Sequence, residues 1–129
     1  MNAALLKESF SLIETEKDAF AASFYQRLFE KYPATRAFFA KADMEKQART
    51  LAATLAAVVA GVEKGEDLVP TLQKLGARHK TYGVVSDHYP IVGEVLIETF
   101  QTTLGPKWTP AYQDAWVQAY TVIARVMAS

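Results

Sequence analysis

The stretch EDLVPTLQKLGARHKTYG, residues 66–83, decides the fold and contains the most distinctive side chain of the sequence. Leu68, Leu72 and Leu75 recur at helical spacing and predict a helix with one apolar face. His79 follows Leu75 by one helical turn, so its imidazole lies at the end of that face. The chain of 129 residues has only two histidines. Such an imidazole is either a core side chain bonded to a backbone carbonyl or a ligand for a metal ion.

The same helical periodicity extends along almost the whole sequence. It predicts an all-α fold and one domain over residues 1–129, with six longer helices and one short helix. Pro33 suits the first turn of the short helix, and residues 40–46 are expected to form a polar connection. Ser86 is expected to cap the fifth long helix. Thr109, with a proline directly after it, is expected to begin the last helix.

The composition argues against several classes of function. Fourteen basic residues balance fourteen acidic ones, so no net charge draws nucleic acid or an anionic membrane to the surface. The absence of cysteine excludes disulfides and thiolate-bound iron–sulfur clusters. The longest apolar stretch, residues 51–62, is too short to span a bilayer, and no secretory signal pattern begins the chain. We therefore expect a cytoplasmic protein without nucleic-acid or membrane partners.

Six segments resemble, in order, the bacterial single-domain haemoglobins and the globin domain of flavohaemoglobins. They are FYQRLF, PATRAFF, QARTL, LGARHKTYGV, HYPIVGEVL and AWVQAY. The most specific of the shared features is a histidine followed ten residues later by the tyrosine of a Tyr-Pro-x-Val-Gly run, here His79 and Tyr89. The resemblance covers nearly the whole chain and implies a globin fold around haem b, which is iron protoporphyrin IX.

On the side of the haem where gas binds, the distal side, the resemblance assigns four residues. Tyr25 corresponds to the distal tyrosine, Gln47 and Leu51 to the distal-helix pair, and Phe39 to the phenylalanine that packs on the porphyrin. Tyr25 and Gln47 would donate hydrogen bonds to bound dioxygen and slow its release. The alternatives are a core tyrosine bonded to a carbonyl and a glutamine that faces solvent.

On the opposite, proximal side, the resemblance makes His79 the iron ligand and Tyr89 the proximal tyrosine. Leu75, one turn before His79, and Val92, on the same inner face as Tyr89, are the other expected haem contacts. Gly76 is interpreted as the place where a flat macrocycle approaches the helix. His88, the second histidine, follows an aspartate at a helix start and is expected at the surface.

Two departures from flavohaemoglobins bear on the chemistry. Their glutamate, which bonds the proximal tyrosine and lies fifteen residues past the tryptophan matching Trp116, has no counterpart before Ser129. We therefore expect the second ring nitrogen of His79 to bond a backbone carbonyl in the preceding turn, and peroxidase-like chemistry is disfavoured. No flavin or nicotinamide domain follows the globin part, so electrons are expected from a separate reductase.

Three functions are compatible with the resemblance. The first is reversible, high-affinity dioxygen binding that supports conversion of nitric oxide to nitrate, with the separate reductase restoring the iron. The second is non-enzymatic oxygen storage or transport. The third is a haem-based gas sensor or a structural helical module, although a sensor normally has an output domain. No other catalytic motif is present, since the sequence lacks a phosphate-binding glycine loop and a His-x-x-x-His pair.

Overall fold

The computed structural model describes residues 1–129, and all of its regular structure is helical. The predicted all-α class is therefore confirmed. The six α-helices are α1 (Ala3–Ser11), α2 (Lys17–Lys31), α3 (Met44–Glu63), α4 (Val69–Thr81), α5 (His88–Leu104) and α6 (Pro110–Ala128). The predicted short helix is a 3-10 helix, Pro33–Phe39, and two further 3-10 turns occupy Glu14–Glu16 and Gly105–Lys107. None of the helices combines the length and apolar character needed to cross a membrane.

Helix α6 begins as the sequence predicts. The side chain of Thr109 accepts a hydrogen bond from the backbone nitrogen of Tyr112 at 3.1 Å. Pro110 occupies the first helical position, where a backbone N–H would have no partner inside the helix. The Thr109 side chain thus satisfies one of the free donors at this helix end.

Two other helix starts differ from the expectation. Helix α3 begins at Met44 because the Asp43 carboxylate accepts hydrogen bonds from the two amides of Glu45 and Lys46, so the connection is shorter than residues 40–46. The expected cap at Ser86 is wrong. Asp87 directly precedes α5, and its side chain accepts no capping hydrogen bond.

Helices α3 and α4 pack against different helices. Helix α3 packs on α1 and α2, whereas α4 packs on α6 and makes no extensive contact with α3. Helix α5 packs on α2 and α6 and so connects the two parts. Helices α3 and α4 are therefore positioned by different parts of the molecule.

The apolar core is divided in the same way. A large cluster contains twenty buried residues from all the α-helices except α4. Its largest fully buried side chain, Trp116, donates from its indole nitrogen to the Ser9 hydroxyl at 2.8 Å. A separate small cluster consists of Leu72, Tyr89 and Met127. The small cluster therefore holds α4 against α6 and the start of α5.

Gly76 lies in the contact between α4 and α6. A Cβ atom added there would stand 2.2 Å from the backbone oxygen of Met127 and 2.7 Å from its Cα. The interpretation of Gly76 as an approach for a macrocycle is wrong, because the C-terminal turn of α6 occupies that space. The glycine is needed for close approach of two helix backbones.

Candidate haem site

Tyr25 and Gln47 are in direct contact. The side-chain nitrogen of Gln47 donates to the Tyr25 hydroxyl oxygen at 3.1 Å, which ties α2 to the first turn of α3. Burial raises the pKa of Tyr25 above its ordinary value, and the hydrogen bond from Gln47 opposes this rise. The phenol therefore stays neutral and keeps its own O–H hydrogen, for which the protein offers no acceptor. Gln47 is half-buried and does not face solvent freely.

Phe39 completes this aromatic group. Its ring centroid lies 5.3 Å from that of Tyr25, in an edge-on arrangement, and 5.5 Å from that of Phe29. The guanidinium of Arg36 lies over the Phe29 ring, with its central carbon, Cζ, 4.7 Å from the ring centroid. Leu51, one turn after Gln47, is half-buried and packs on the same large cluster. We call Tyr25, Gln47, Phe39 and Leu51 the distal group.

His79 is positioned by its own helix. Its Nδ1 atom lies 2.7 Å from the backbone oxygen of Leu75, as the sequence predicts, so Nδ1 carries the hydrogen in the neutral ring. The other nitrogen, Nε2, makes no hydrogen bond in the protein, and the ring is half-buried. An imidazole held in this way presents one free lone pair in a fixed direction, which is the arrangement of a metal-binding histidine.

Tyr89 lies in the small cluster, and Leu75 packs against that cluster. Burial raises the pKa of the Tyr89 phenol. The hydroxyl of Tyr120 donates to the Tyr89 backbone oxygen at 2.7 Å and fixes the first turn of α5. The Tyr120 ring fits only because residue 93 is glycine, since a Cβ there would stand 2.7 Å from the ring. We call His79, Leu75 and Tyr89 the proximal group.

The structure thus brings the predicted residues together in two groups. No hydrogen bond or ring contact connects His79 with Tyr25 or Gln47. The remaining predicted contact, Val92, is half-buried on α5 and packs against the large cluster. Tyr25, Phe39 and Leu51 of the distal group pack in or on the large cluster, whereas Leu75 and Tyr89 of the proximal group pack in or on the small cluster.

The chemistry of these residues fits a haem. One group supplies an imidazole nitrogen without a partner, and the other supplies a phenol hydrogen without an acceptor. The apolar side chains of Phe39, Leu51, Leu75 and Val92 are only half-buried by the protein. A flat apolar cofactor with an iron atom needs one strong ligand, apolar walls and few polar groups on its open side.

His88 lies at the surface, as the sequence predicts, but its side chain is held by contacts within the protein. Its ring is half-buried, and its Nδ1 accepts a hydrogen bond from the backbone nitrogen of Val85 at 3.0 Å. Its centroid lies 4.9 Å from that of Phe38, which belongs to the 3-10 helix. Sequence analysis missed this pair because a contact across fifty positions has no local signal.

A family model described as Globin matches residues 22–127, and the chain therefore belongs to the globin family. Within that family it is of the bacterial type found as the globin domain of flavohaemoglobins. The predicted globin fold and haem-globin character are confirmed by these findings.

Two similar proteins carry the name flavohemoprotein. The one from Bacillus subtilis is 29% identical over 122 residues, which cover 93% of this chain and 31% of that protein. The one from Deinococcus radiodurans is 31% identical over 126 residues, covering 96% of this chain and 31% of that protein. The chain thus spans about a third of the length of these relatives.

Two solved structures have the same fold. A protein from Rhodothermus marinus, described as an "engineered carbene transferase" and "putative nitric oxide dioxygenase", superposes with a TM-score of 0.86 at 29% identity, covering 98% of this chain and 87% of that one. A bacterial globin from Campylobacter jejuni superposes with a TM-score of 0.83 at 25% identity, covering 98% and 91%.

Proposed function

We propose that this globin holds haem b through His79, binds dioxygen reversibly with high affinity, and supports nitric oxide dioxygenation in the cytoplasm with electrons from a separate reductase. Bound at His79, the haem iron supplies the gas-binding position and the electron exchange. The observation that carries the proposal is the hydrogen bond from Gln47 to Tyr25. The names of the flavohemoprotein relatives and of the Rhodothermus marinus neighbour support this function.

The distal group acts as a hydrogen-bond donor toward a partly negative ligand. Gln47 donates to the Tyr25 oxygen, so the Tyr25 hydrogen is directed away from Gln47 and is free for the ligand. Because burial raises the pKa of Tyr25, the donor keeps its hydrogen at neutral pH. Polarisation along a chain of hydrogen bonds strengthens such a donor.

The proximal group keeps the His79 ring oriented. The Leu75 carbonyl holds the hydrogen on Nδ1 and leaves Nε2 as the only lone pair for iron. A carbonyl pulls this hydrogen less strongly than a carboxylate does, so the imidazole donates less electron density. This arrangement suits oxygen binding better than cleavage of the oxygen–oxygen bond.

The overall reaction balances simply. Nitric oxide, dioxygen and one electron combine to give nitrate, so each turnover consumes an electron that an outside donor must replace. In this reaction the protein excludes water through its apolar walls and restrains dioxygen through Tyr25. Without electron supply the reaction stops after one equivalent of nitric oxide.

The first experiment measures nitric oxide consumption by the haem-loaded protein in air, with NADH and a generic flavin reductase, while the visible spectrum is recorded. Consumption of many equivalents supports the dioxygenase. Consumption that stops after one equivalent, with oxidised iron accumulating despite a competent reductase, leaves oxygen storage or transport as the function. Protein that takes up no haem refutes both.

The second experiment tests the distal group. One hydrogen bond contributes about 1 kcal/mol, so Tyr25→Phe is expected to speed oxygen release about fivefold. Tyr32→Phe is the matched control, because Tyr32 directly follows the same helix but donates its hydroxyl to Glu94 at the surface. An oxygen off-rate that is equal in the wild type and Tyr25→Phe contradicts the assigned role.

A further inference from the structure

Two adjacent residues of the 3-10 helix Pro33–Phe39 contact different parts of the molecule. Phe39 packs edge-on against Tyr25 in the distal group, with 5.3 Å between ring centroids. Phe38 packs edge-on against His88 at the start of α5, with centroids 4.9 Å apart and planes at 73°. The end of this short helix therefore reaches from the large cluster to the turn between α4 and α5.

The turn between α4 and α5 is shaped for this contact. Gly83 has a positive φ of 91°, and a Cβ there would stand 3.8 Å from the edge of the Phe38 ring. The His88 ring cannot rotate freely, because its Nδ1 accepts the hydrogen bond from Val85. The turn thus presents both backbone and an oriented ring to Phe38.

The position of the contact relates it to both groups of the candidate haem site. The turn begins directly after α4, which carries His79, and ends directly before α5, whose first two residues are His88 and Tyr89. Phe38 remains 37% exposed, so the contact lies at the surface and not inside the core. We call the contact between Phe38 and His88 the aromatic bridge. It connects the distal and proximal sides at an exposed edge.

We propose that the aromatic bridge retains the haem, by holding the two sides of the site together at this edge and slowing release of the cofactor. This inference rests on the haem-binding part of the proposed function and is independent of oxygen or nitric oxide chemistry. A cofactor held between two groups that do not contact each other leaves when the groups separate. A contact that joins the groups opposes that separation, so its effect falls on the rate of release.

The test measures haem transfer from the holoprotein to an excess of apomyoglobin, which captures released haem. Phe38→Ala and His88→Ala are each expected to speed transfer about two- to twelvefold, the range expected for one aromatic pair. Because each change removes the same contact, the double variant is expected to be no faster than the faster single variant. Tyr82→Ala is the matched control, since Tyr82 lies in the same turn, is 62% exposed and makes no ring contact.

A second variant separates the ring contact from the hydrogen bond. His88→Asn keeps an acceptor within reach of the Val85 amide but lacks the ring, so it is expected to release haem as fast as His88→Ala. Amide exchange at Val85 in the apoprotein is expected to be slow in His88→Asn and fast in His88→Ala. If His88 acted only by accepting the hydrogen bond from Val85, His88→Asn would release haem as slowly as the wild type does.

Unchanged transfer in Phe38→Ala, additive effects in the double variant, or an equal increase in Tyr82→Ala would overturn the inference. Faster haem release with unchanged nitric oxide consumption per haem supports the bridge. Loss of sustained consumption in a wild type that retains haem refutes the dioxygenase alone. A wild type that never takes up haem refutes the haem-binding function and the retention role with it.

Discussion

The contact at Gly76 yields a prediction opposite to that of helix propensity. Alanine is favoured over glycine inside a helix by about 1 kcal/mol, so propensity alone predicts that Gly76→Ala stabilises the protein. In the structure the new Cβ would stand 2.2 Å from the Met127 oxygen, which is backbone and cannot rotate away. Overpacking costs about 1–3 kcal/mol, and we expect about 3 kcal/mol here because the contacted atoms belong to the backbone. This cost exceeds the gain of about 1 kcal/mol in helix propensity.

We therefore expect Gly76→Ala to lower the free energy of unfolding by about 2 kcal/mol and the melting temperature by about 8 °C. Urea denaturation of the apoprotein, followed by far-ultraviolet circular dichroism, measures this change directly. The apoprotein is used so that altered haem binding does not contribute to the measured stability.

Gly61→Ala is the matched control. Its Cβ would meet the Leu68 side chain at 2.7 Å, but the atom concerned is the end of a flexible side chain that can move aside. The gain in helix propensity and the cost of moving Leu68 are expected to leave stability within about 1 kcal/mol of wild type. If Gly76→Ala proves as stable as Gly61→Ala, the close approach of α4 and α6 described above is incorrect.

Three further changes have defined expected outcomes. Ser9→Ala leaves the buried Trp116 N–H without an acceptor, and urea denaturation should show a loss of about 1–3 kcal/mol. Thr109→Ala removes the cap of α6 and should cost about 1 kcal/mol in the same assay, whereas a neutral result would show that the cap is not needed. Burial, reinforced by nearby Tyr89, raises the pKa of Tyr120 above that of an unfolded tyrosine. The neutral phenol therefore stabilises the fold below about pH 10, and this contribution is lost as pH rises further. Between about pH 10 and 11.5, the free energy of unfolding should fall less steeply in Tyr120→Phe than in the wild type.

Features that depend on neighbours along the chain could be predicted from the sequence. The hydrogen bond between the His79 ring and the Leu75 carbonyl joins residues one helical turn apart, so helix geometry alone places them together. The Thr109 cap depends on the same local logic. The start of α3 at Met44 also had a local signal, because aspartate is among the preferred capping residues and Asp43 stands directly before the helix.

Features that depend on which helix faces which could not be predicted in the same way. A glycine gives no sign of what fills the space above it, so Gly76 could equally face a cofactor or a neighbouring helix. His88 sits at a helix start, where exposure is the usual expectation, and only the path of a distant 3-10 helix brings Phe38 against it. The family resemblance placed Gln47 and Tyr25 on the same side of the haem, but the hydrogen bond between them was not predicted.

The small cluster of Leu72, Tyr89 and Met127 has a consequence for the order in which the protein opens. Three buried side chains anchor α4, whereas twenty stabilise the rest of the core. Local stability follows the amount of buried apolar contact, so α4 forms the weakest cooperative unit of the apoprotein. In native-state hydrogen exchange the amides of α4 should exchange through local opening, whereas those of α2 and α5 should exchange only through global unfolding. The helix that carries the iron ligand would then gain most of its rigidity from the cofactor that it binds.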